Sequence, residues 1–314
     1  MPAGTLLLYG LSFVAIWCGA GLIVQSIDHS SRRLHISSFF LSFFVLGCLT
    51  SIPELAVGLT SVARGQPEIF VGNLLGGIPV LLLFVIPLLA IIGGGIRLGS
   101  HIQSGTLAFT LAVIAAPSLL IFDKHATYVE GVFLLALYGS LFFIMKTRNG
   151  NQMKSTSKKT IGRSHIAPLD MFKLLLGVLI VLFSSQYIVD NTMYFAQILN
   201  VSPYVMSVIL LSLGTNLPEM SIALRSILQE KKDIAFGDYL GSAAANTFLF
   251  GIMTILSGPR VELTVNFTQT VTATVVGLIL FYIFSRSTNE LSRMEGVKLI
   301  AVYVLFVVSA LYMQ

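Results

Sequence analysis

The chain has 314 residues, 55% of them hydrophobic and only 11% charged, with a mean hydropathy of +0.87. That composition belongs to a polytopic membrane protein and leaves no room for a sizeable soluble domain. The net charge of +5 is no nucleic-acid signature, because the basic residues sit in short stretches between apolar runs, and Cys18 and Cys48 lie inside those runs and imply no disulfide framework.

A helix that crosses a bilayer needs about 20 mostly apolar residues. By that measure ten spans are expected, at roughly 4–27, 36–64, 67–95, 103–121, 127–146, 169–190, 202–229, 232–257, 264–285 and 295–313. No basic residue precedes the first, so it reads as a span and not as a cleaved signal. Residues 147–168 are polar, basic and aperiodic, and read as a linker between a first unit, 1–146, and a second, 169–314. Each unit then holds five spans. Five is odd, so the second unit enters from the opposite side, giving an all-α fold of two inverted repeats, an architecture common among secondary transporters. Loops after odd-numbered spans carry fifteen basic residues, among them Arg32, Arg33, Arg97, Lys146 and Lys231, against Arg64, Lys124 and Arg260 after even-numbered ones. The bias puts the linker in the cytoplasm and both termini outside.

Spans 2 and 7 carry the chemistry. Span 2 contains Gly47-Cys48-Leu49-Thr50-Ser51-Ile52-Pro53-Glu54, and span 7 contains Ser212-Leu213-Gly214-Thr215-Asn216-Leu217-Pro218-Glu219. The two stretches are in register (219 − 54 = 165), and the register continues without a gap from Glu68–Gly77 to Asp233–Ser242. Two Pro-Glu pairs so placed indicate an internal duplication.

A carboxylate at bilayer depth is costly and usually faces a protein interior, a water-filled cavity or a cation. The prolines remove backbone donors and free carbonyls in the preceding turn, so breaks are expected at Ile52–Pro53 and Leu217–Pro218. Freed carbonyls, hydroxyls, an amide and carboxylates are all oxygen ligands of the kind hard cations take. Glu54 and Glu219, meeting near the midplane, supply two negative charges for a divalent cation. The bland reading is a pair of neutral buried carboxyls satisfied by neighbouring hydroxyls, and the in-register duplication weighs against it.

Thr50, Ser51, Thr215 and Asn216 admit two readings, bonding back to the preceding turn or ligation. Beside freed carbonyls and an acid, ligation is favoured, with Thr50 and Thr215 offering backbone oxygens. On the following helices, Gly72, Gly76 and Gly77 align with Gly237, Gly241 and Ser242, spacing that serves close helix packing. Close approach brings Ser242 and Asn246 towards the broken helix, where the first unit has Gly77 and Leu81. Asp238 reads as a helix-start or interfacial residue, and the five histidines lack metal-ligand spacing.

The paired motifs resemble the α-repeat signatures of the calcium/cation antiporter superfamily, and within it the sodium/calcium exchanger branch. That branch reads G-T-S-x-P-E and then G-N-x-x-G-S-x-x-x-N/D. The resemblance implies a calcium site of the Glu54 and Glu219 carboxylates with backbone oxygens at Thr50 and Thr215. It implies sodium sites using the same acids with Ser51, Ser242, Asn246 and carbonyls near Gly47 and Ser212. The chain departs from the pattern at Gly77, Leu81 and Asn216. Restoring the donors with Gly77→Ser and Leu81→Asn is therefore expected to raise sodium dependence.

The expected function is antiport of calcium, or a related cation, against sodium, with Ca2+ and Na+ as transported ions and no organic cofactor. Proton-coupled divalent exchange is the alternative, followed by a degenerate, non-transporting membrane protein. An enzyme is disfavoured, since the chain offers no nucleophile–base pair and no paired aspartates of an intramembrane protease. The expected partners are inorganic cations and the bilayer, with no nucleic acid, for a monomer in a prokaryotic plasma membrane.

Overall fold

Helices make up nearly all of the described chain, because in lipid the backbone must satisfy its hydrogen bonds within each segment. The computed structural model describes residues 3–34, 37–97, 104–156, 167–198, 206–263, 267–287 and 290–312. Helix α1 is Ala3–Leu34. The next run is divided into α2 (Ser38–Leu41), a π-helical turn at Ser42–Leu46, α3 (Gly47–Thr50) and α4 (Ile52–Ala63). Then α5 (Pro67–Pro79) passes through a π-helical stretch at Val80–Val85 into α6 (Ile86–Ile92), followed by α7 (Ser104–Leu120), α8 (Tyr128–Thr156) and α9 (Pro168–Ile198). A second π-helical turn at Met206–Leu211 leads to α10 (Ser212–Thr215), α11 (Leu217–Leu228), α12 (Lys232–Leu256), α13 (Thr268–Ser287) and α14 (Arg293–Tyr312).

Among the described residues, six helical runs are long and apolar enough to cross a membrane. Two of them form the centre: Pro67–Ile92 and Lys232–Leu256 are each 78% buried, against 22% for Tyr128–Thr147 on the outside. The surface is apolar, with Phe133, Phe143, Phe172, Phe183 and Leu305 exposed, while Glu54, Glu219, Asp238, Asn73 and Asn246 are buried. Apolar outside and polar inside is the arrangement a lipid solvent selects.

The helix before the expected linker runs on into it. Helix α8 continues to Thr156, ten residues beyond Lys146. Arg148, Gln152, Met153 and Lys154 are good helix formers, so the helix persists past the apolar run. Residues 157–166 of the expected linker lie outside the described residues.

Local features recur at the 165-residue offset. Strand β1 (Ile96–Arg97) pairs antiparallel with β4 (Glu290–Leu291), and β2 (His125–Thr127) pairs antiparallel with β3 (Arg260–Glu262). Ile96 corresponds to Val261 and His125 to Glu290, so the two pairings exchange partners between halves. Helix α8 starts with a capping box in which Thr127 N donates to Glu130 Oε2 at 2.7 Å and Glu130 N to Thr127 Oγ1 at 3.4 Å. Helix α14 repeats it with Ser292 and Glu295, at 2.9 and 3.3 Å. The turns after α4 and α11 both place a residue in the left-handed region, Gly65 at φ +64 and Glu230 at φ +59.

Small residues bring the central helices against the broken ones. A Cβ on Gly76 would overlap the backbone of Val208, and one on Gly241 would overlap that of Phe43. Gly47 faces the same contact from the other side, 2.7 Å from the Gly241 carbonyl carbon for a Cβ placed on it. The expectation of close packing at these glycines holds. It is what carries α5 and α12 to the two breaks.

Candidate functional site

Each break is set by a proline in the first turn of the helix that follows it. Pro53 and Pro218 occupy early positions of α4 and α11, where a missing N–H costs nothing. The non-helical residues are therefore Ser51 (φ −81, ψ 11) and Asn216 (φ −86, ψ 7), one position before the expected breaks. The proline begins the new helix instead of ending the old one.

The same geometry places Glu54 and Glu219 in the first turns of α4 and α11, where the helix N-terminus favours negative charge. Glu54 is 2% exposed and Glu219 0%. Glu54 and Glu219 stand within electrostatic range of each other. The Thr215 hydroxyl stands beside Glu54, and the hydroxyls of Thr50 and Ser242 stand beside Glu219. Even so, Glu54 Oε2 and both Glu219 carboxylate oxygens have no hydrogen-bond partner in the protein. Buried polar atoms are normally paired, so these oxygens are available to a cation.

The surrounding side chains come from both halves. Ser51 Oγ donates to Gly47 O at 2.7 Å, and Asn216 Nδ2 donates to Ser212 O at 2.6 Å. Both therefore bond back to the preceding turn, which was the local reading, and the carbonyls near Gly47 and Ser212 are the acceptors. Thr50 Oγ1 contacts Leu46 O at 3.1 Å and, across the halves, Ser242 Oγ at 3.0 Å. It also donates to Asp238 Oδ1 at 3.4 Å. Thr215 Oγ1 makes the mirror contact, donating to Asn73 Oδ1 at 3.2 Å. Ser242 and Asn246 are 2% and 3% exposed, so both reach the interior as expected.

Asp238 corrects the sequence reading. It is not at the helix start and is not exposed: it sits in the second turn of α12, 0% exposed, with Oδ1 accepting from Thr50 and Oδ2 unpartnered. The signal was the i, i+4, i+8 spacing of Asp238, Ser242 and Asn246, which puts all three on one helix face.

Position 77 also differs from a simple loss of a donor. A Cβ there would lie 3.1 Å from Asn216 Nδ2 and 3.3 Å from Asn246 Nδ2, so two amides occupy the space beside Gly77. Leu81 is fully buried. Among the described residues, no three His, Cys, Asp or Glu side chains converge closely enough to hold one ion.

A helical membrane fold in which two broken helices bring carboxylates and neutral oxygens together defines a class, the cation antiporters. The model of the sodium/calcium exchanger protein family matches residues 4–146 and again 170–312. The chain belongs to that family. It is an integral membrane ion exchanger and not a catalyst.

Among its relatives, the sodium/calcium exchanger MaX1 of Methanosarcina acetivorans is 25% identical, covering 98% of each chain. The inner membrane protein YrbG of Escherichia coli is 26% identical over 82% of this chain and 79% of its own. The fold is that of the sodium-calcium exchanger NCX_Mj soaked with Na+ and Sr2+, at a TM-score of 0.82 and 21% identity, covering 98% of this chain and 99% of the other.

Proposed function

We propose that this protein exchanges calcium, or a related divalent cation, for sodium by alternating access of one central site. The observation that carries the reading is the pair of buried carboxylates, Glu54 and Glu219, each in the first turn after a helix break, with oxygens that the protein leaves unpartnered. Two negative charges match one divalent cation, and two sodium ions replace the same charge. Hydroxyls of Thr50, Thr215 and Ser242 stand around the acids as neutral ligands, Asn246, buried on the same face of α12 as Ser242, is a further candidate, and Ser51 and Asn216 hold the breaks through Gly47 and Ser212.

Ten spans in two inverted repeats of five fit this reading. The exchanged strand pairings, the paired capping boxes and the two family matches at corresponding ranges support it. The loop charges support a cytoplasmic linker and both termini outside, and the short linker, with no long regulatory loop, fits a prokaryotic plasma membrane. Gly77 and Leu81, which withhold two neutral donors, favour proton-coupled divalent exchange as the second reading.

The test is neutralisation of one acid at a time. Glu54→Gln and Glu219→Gln should each abolish 45Ca2+ uptake into proteoliposomes while the variant still inserts, because each removes half of the counter-charge. Uptake at the wild-type level in either variant would make the carboxylates structural and sink the proposal.

A further inference from the structure

An inverted repeat leads one to expect both broken helices to be covered alike, and they are not. Along α11 only Leu228 is exposed, and Ile222 is fully buried in an apolar cluster with Ala20, Ile23, Val24 and Ile27 of α1. Along α4 the counterparts at the 165-residue offset lie open. Ile52 is 39% and Leu59 45% exposed, Thr60 is exposed, and Val57, which matches Ile222, is only half-buried. Helix α1 shuts the α11 side of the site while the α4 side stands uncovered.

The chemistry of the covered contact is equally one-sided. The Arg225 guanidinium lies 5.0 Å from the centre of the Trp17 ring. It fills the space beside Gly21, one turn further along α1, where a Cβ would stand 3.3 Å from Nε and 3.6 Å from Cζ. Arg225 Nε is buried without a hydrogen-bond partner, and among the described residues no carboxylate pairs with this cation. Towards the end of α1, Asp28 Oδ2 pairs with Lys231 Nζ at 3.2 Å. In the other half Thr60 stands for Arg225, Leu182 for Trp17 and Gln66 for Lys231, so α4 and α9 have neither the cations nor the ring.

We propose that Arg225 and Trp17 form a clamp that holds α1 on α11 and keeps the protein closed on its cytoplasmic side. The proposal rests on the alternating-access reading above and goes beyond it by naming what sets the balance between the two orientations. With the linker in the cytoplasm, α11 runs inward from Glu219. Arg225 is six residues on (225 − 219 = 6), about 9 Å along the helix, and so lies between the site and the cytoplasm. A cation over a tryptophan face is attracted by the ring, most strongly where water is excluded. The buried N–H without an acceptor works the other way, because water satisfies it once α1 parts from α11. The two effects oppose each other at one residue, which leaves the clamp weak enough to release in each cycle.

The experiment labels single cysteines in proteoliposomes with a membrane-impermeant maleimide, in a chain freed of its own thiols by Cys18→Ser and Cys48→Ser. Ile222→Cys reports the cytoplasmic side and Val57→Cys the outer side. Arg225→Gln and Trp17→Leu should each speed cytoplasmic labelling at 222 by about threefold or more, the scale of losing one cation–π contact. Each should also slow outer labelling at 57. Trp17→Phe keeps a ring and should stay near wild type. The double variant should match either single one, since both remove the same contact.

Unchanged labelling at 222 in both single variants overturns the clamp, as does a double variant whose effects add. Faster labelling at 222 and 57 together means general loosening and overturns it too. Should Arg225→Gln fail to insert, Trp17→Leu against Trp17→Phe decides, and equal labelling in the two overturns the proposal. The two readings fail separately. Labelling that responds as expected in a protein that moves no 45Ca2+ sinks the exchange reading and leaves the clamp. Calcium exchange with labelling indifferent to Arg225 and Trp17 sinks the clamp alone.

Discussion

Position 77 shows how far one residue can redirect a site. A serine there would bring a Cβ to 3.1 Å from Asn216 Nδ2, tight enough to force the amide away. The missing serine and the enlarged residue at 216 are therefore one change in two places: the longer side chain has taken the vacated volume. This revises what the sequence suggests for Gly77→Ser with Leu81→Asn. That pair by itself should not steepen the sodium dependence of calcium flux, because the displaced Asn216 amide still crowds the new hydroxyl. Adding Asn216→Ser should steepen it, as the space reopens with hydroxyls on both sides. Calcium flux against sodium concentration at fixed pH reads the difference, and a steep response from the pair alone would contradict the packing argument.

The elements are held by contacts that leave no room for side chains. Gly241 meets the Phe43 backbone and Gly76 that of Val208, so alanine at either forces a helix off a break. Gly241→Ala should cost about 1–3 kcal/mol of stability, as overpacking does, and should lower calcium affinity because Ser242 and Asp238 ride on the same helix. Thermal unfolding in detergent and calcium binding measured together test this; full stability with full affinity would contradict it.

The turn after α11 is strained, since Glu230 adopts φ +59 where its counterpart is Gly65. Glu230→Gly should stabilise the protein by about 1 kcal/mol, the cost of left-handed backbone for a residue with a Cβ. A higher unfolding temperature with unchanged transport is the expected result, and a lower one would place a side-chain role at Glu230.

At this scale the sequence was partly legible. Proline announced both breaks because its missing donor is local chemistry, yet the break fell one residue earlier because proline opens a helix. The π-helical turns at Ser42–Leu46 and Met206–Leu211 follow from packing between elements, and no residue pattern marks them. The two capping boxes were readable from T-x-x-E and S-x-x-E and went unread.

At the scale of the whole molecule, the duplication made most of the site accessible from the chain alone, since a residue important in one half points to its partner in the other. Thr50 meets Ser242 beside Glu219, and Thr215 stands beside Glu54, so the paired motifs named residues that adjoin one another. Asp238 was missed because depth was judged by distance from the span's end, whereas α12 lies in the centre and is polar along one face. The amides beside Gly77 were missed because a lost donor was read as a gap, and protein interiors fill their gaps.

Exchange of calcium for sodium is decided by one transport assay. Purified protein in liposomes loaded with sodium should take up 45Ca2+ when diluted into sodium-free medium at equal pH on both sides, and Glu219→Gln should not. The same liposomes given only a proton gradient should take up little. Uptake driven by the proton gradient and indifferent to sodium, or no calcium movement under either, would contradict the account.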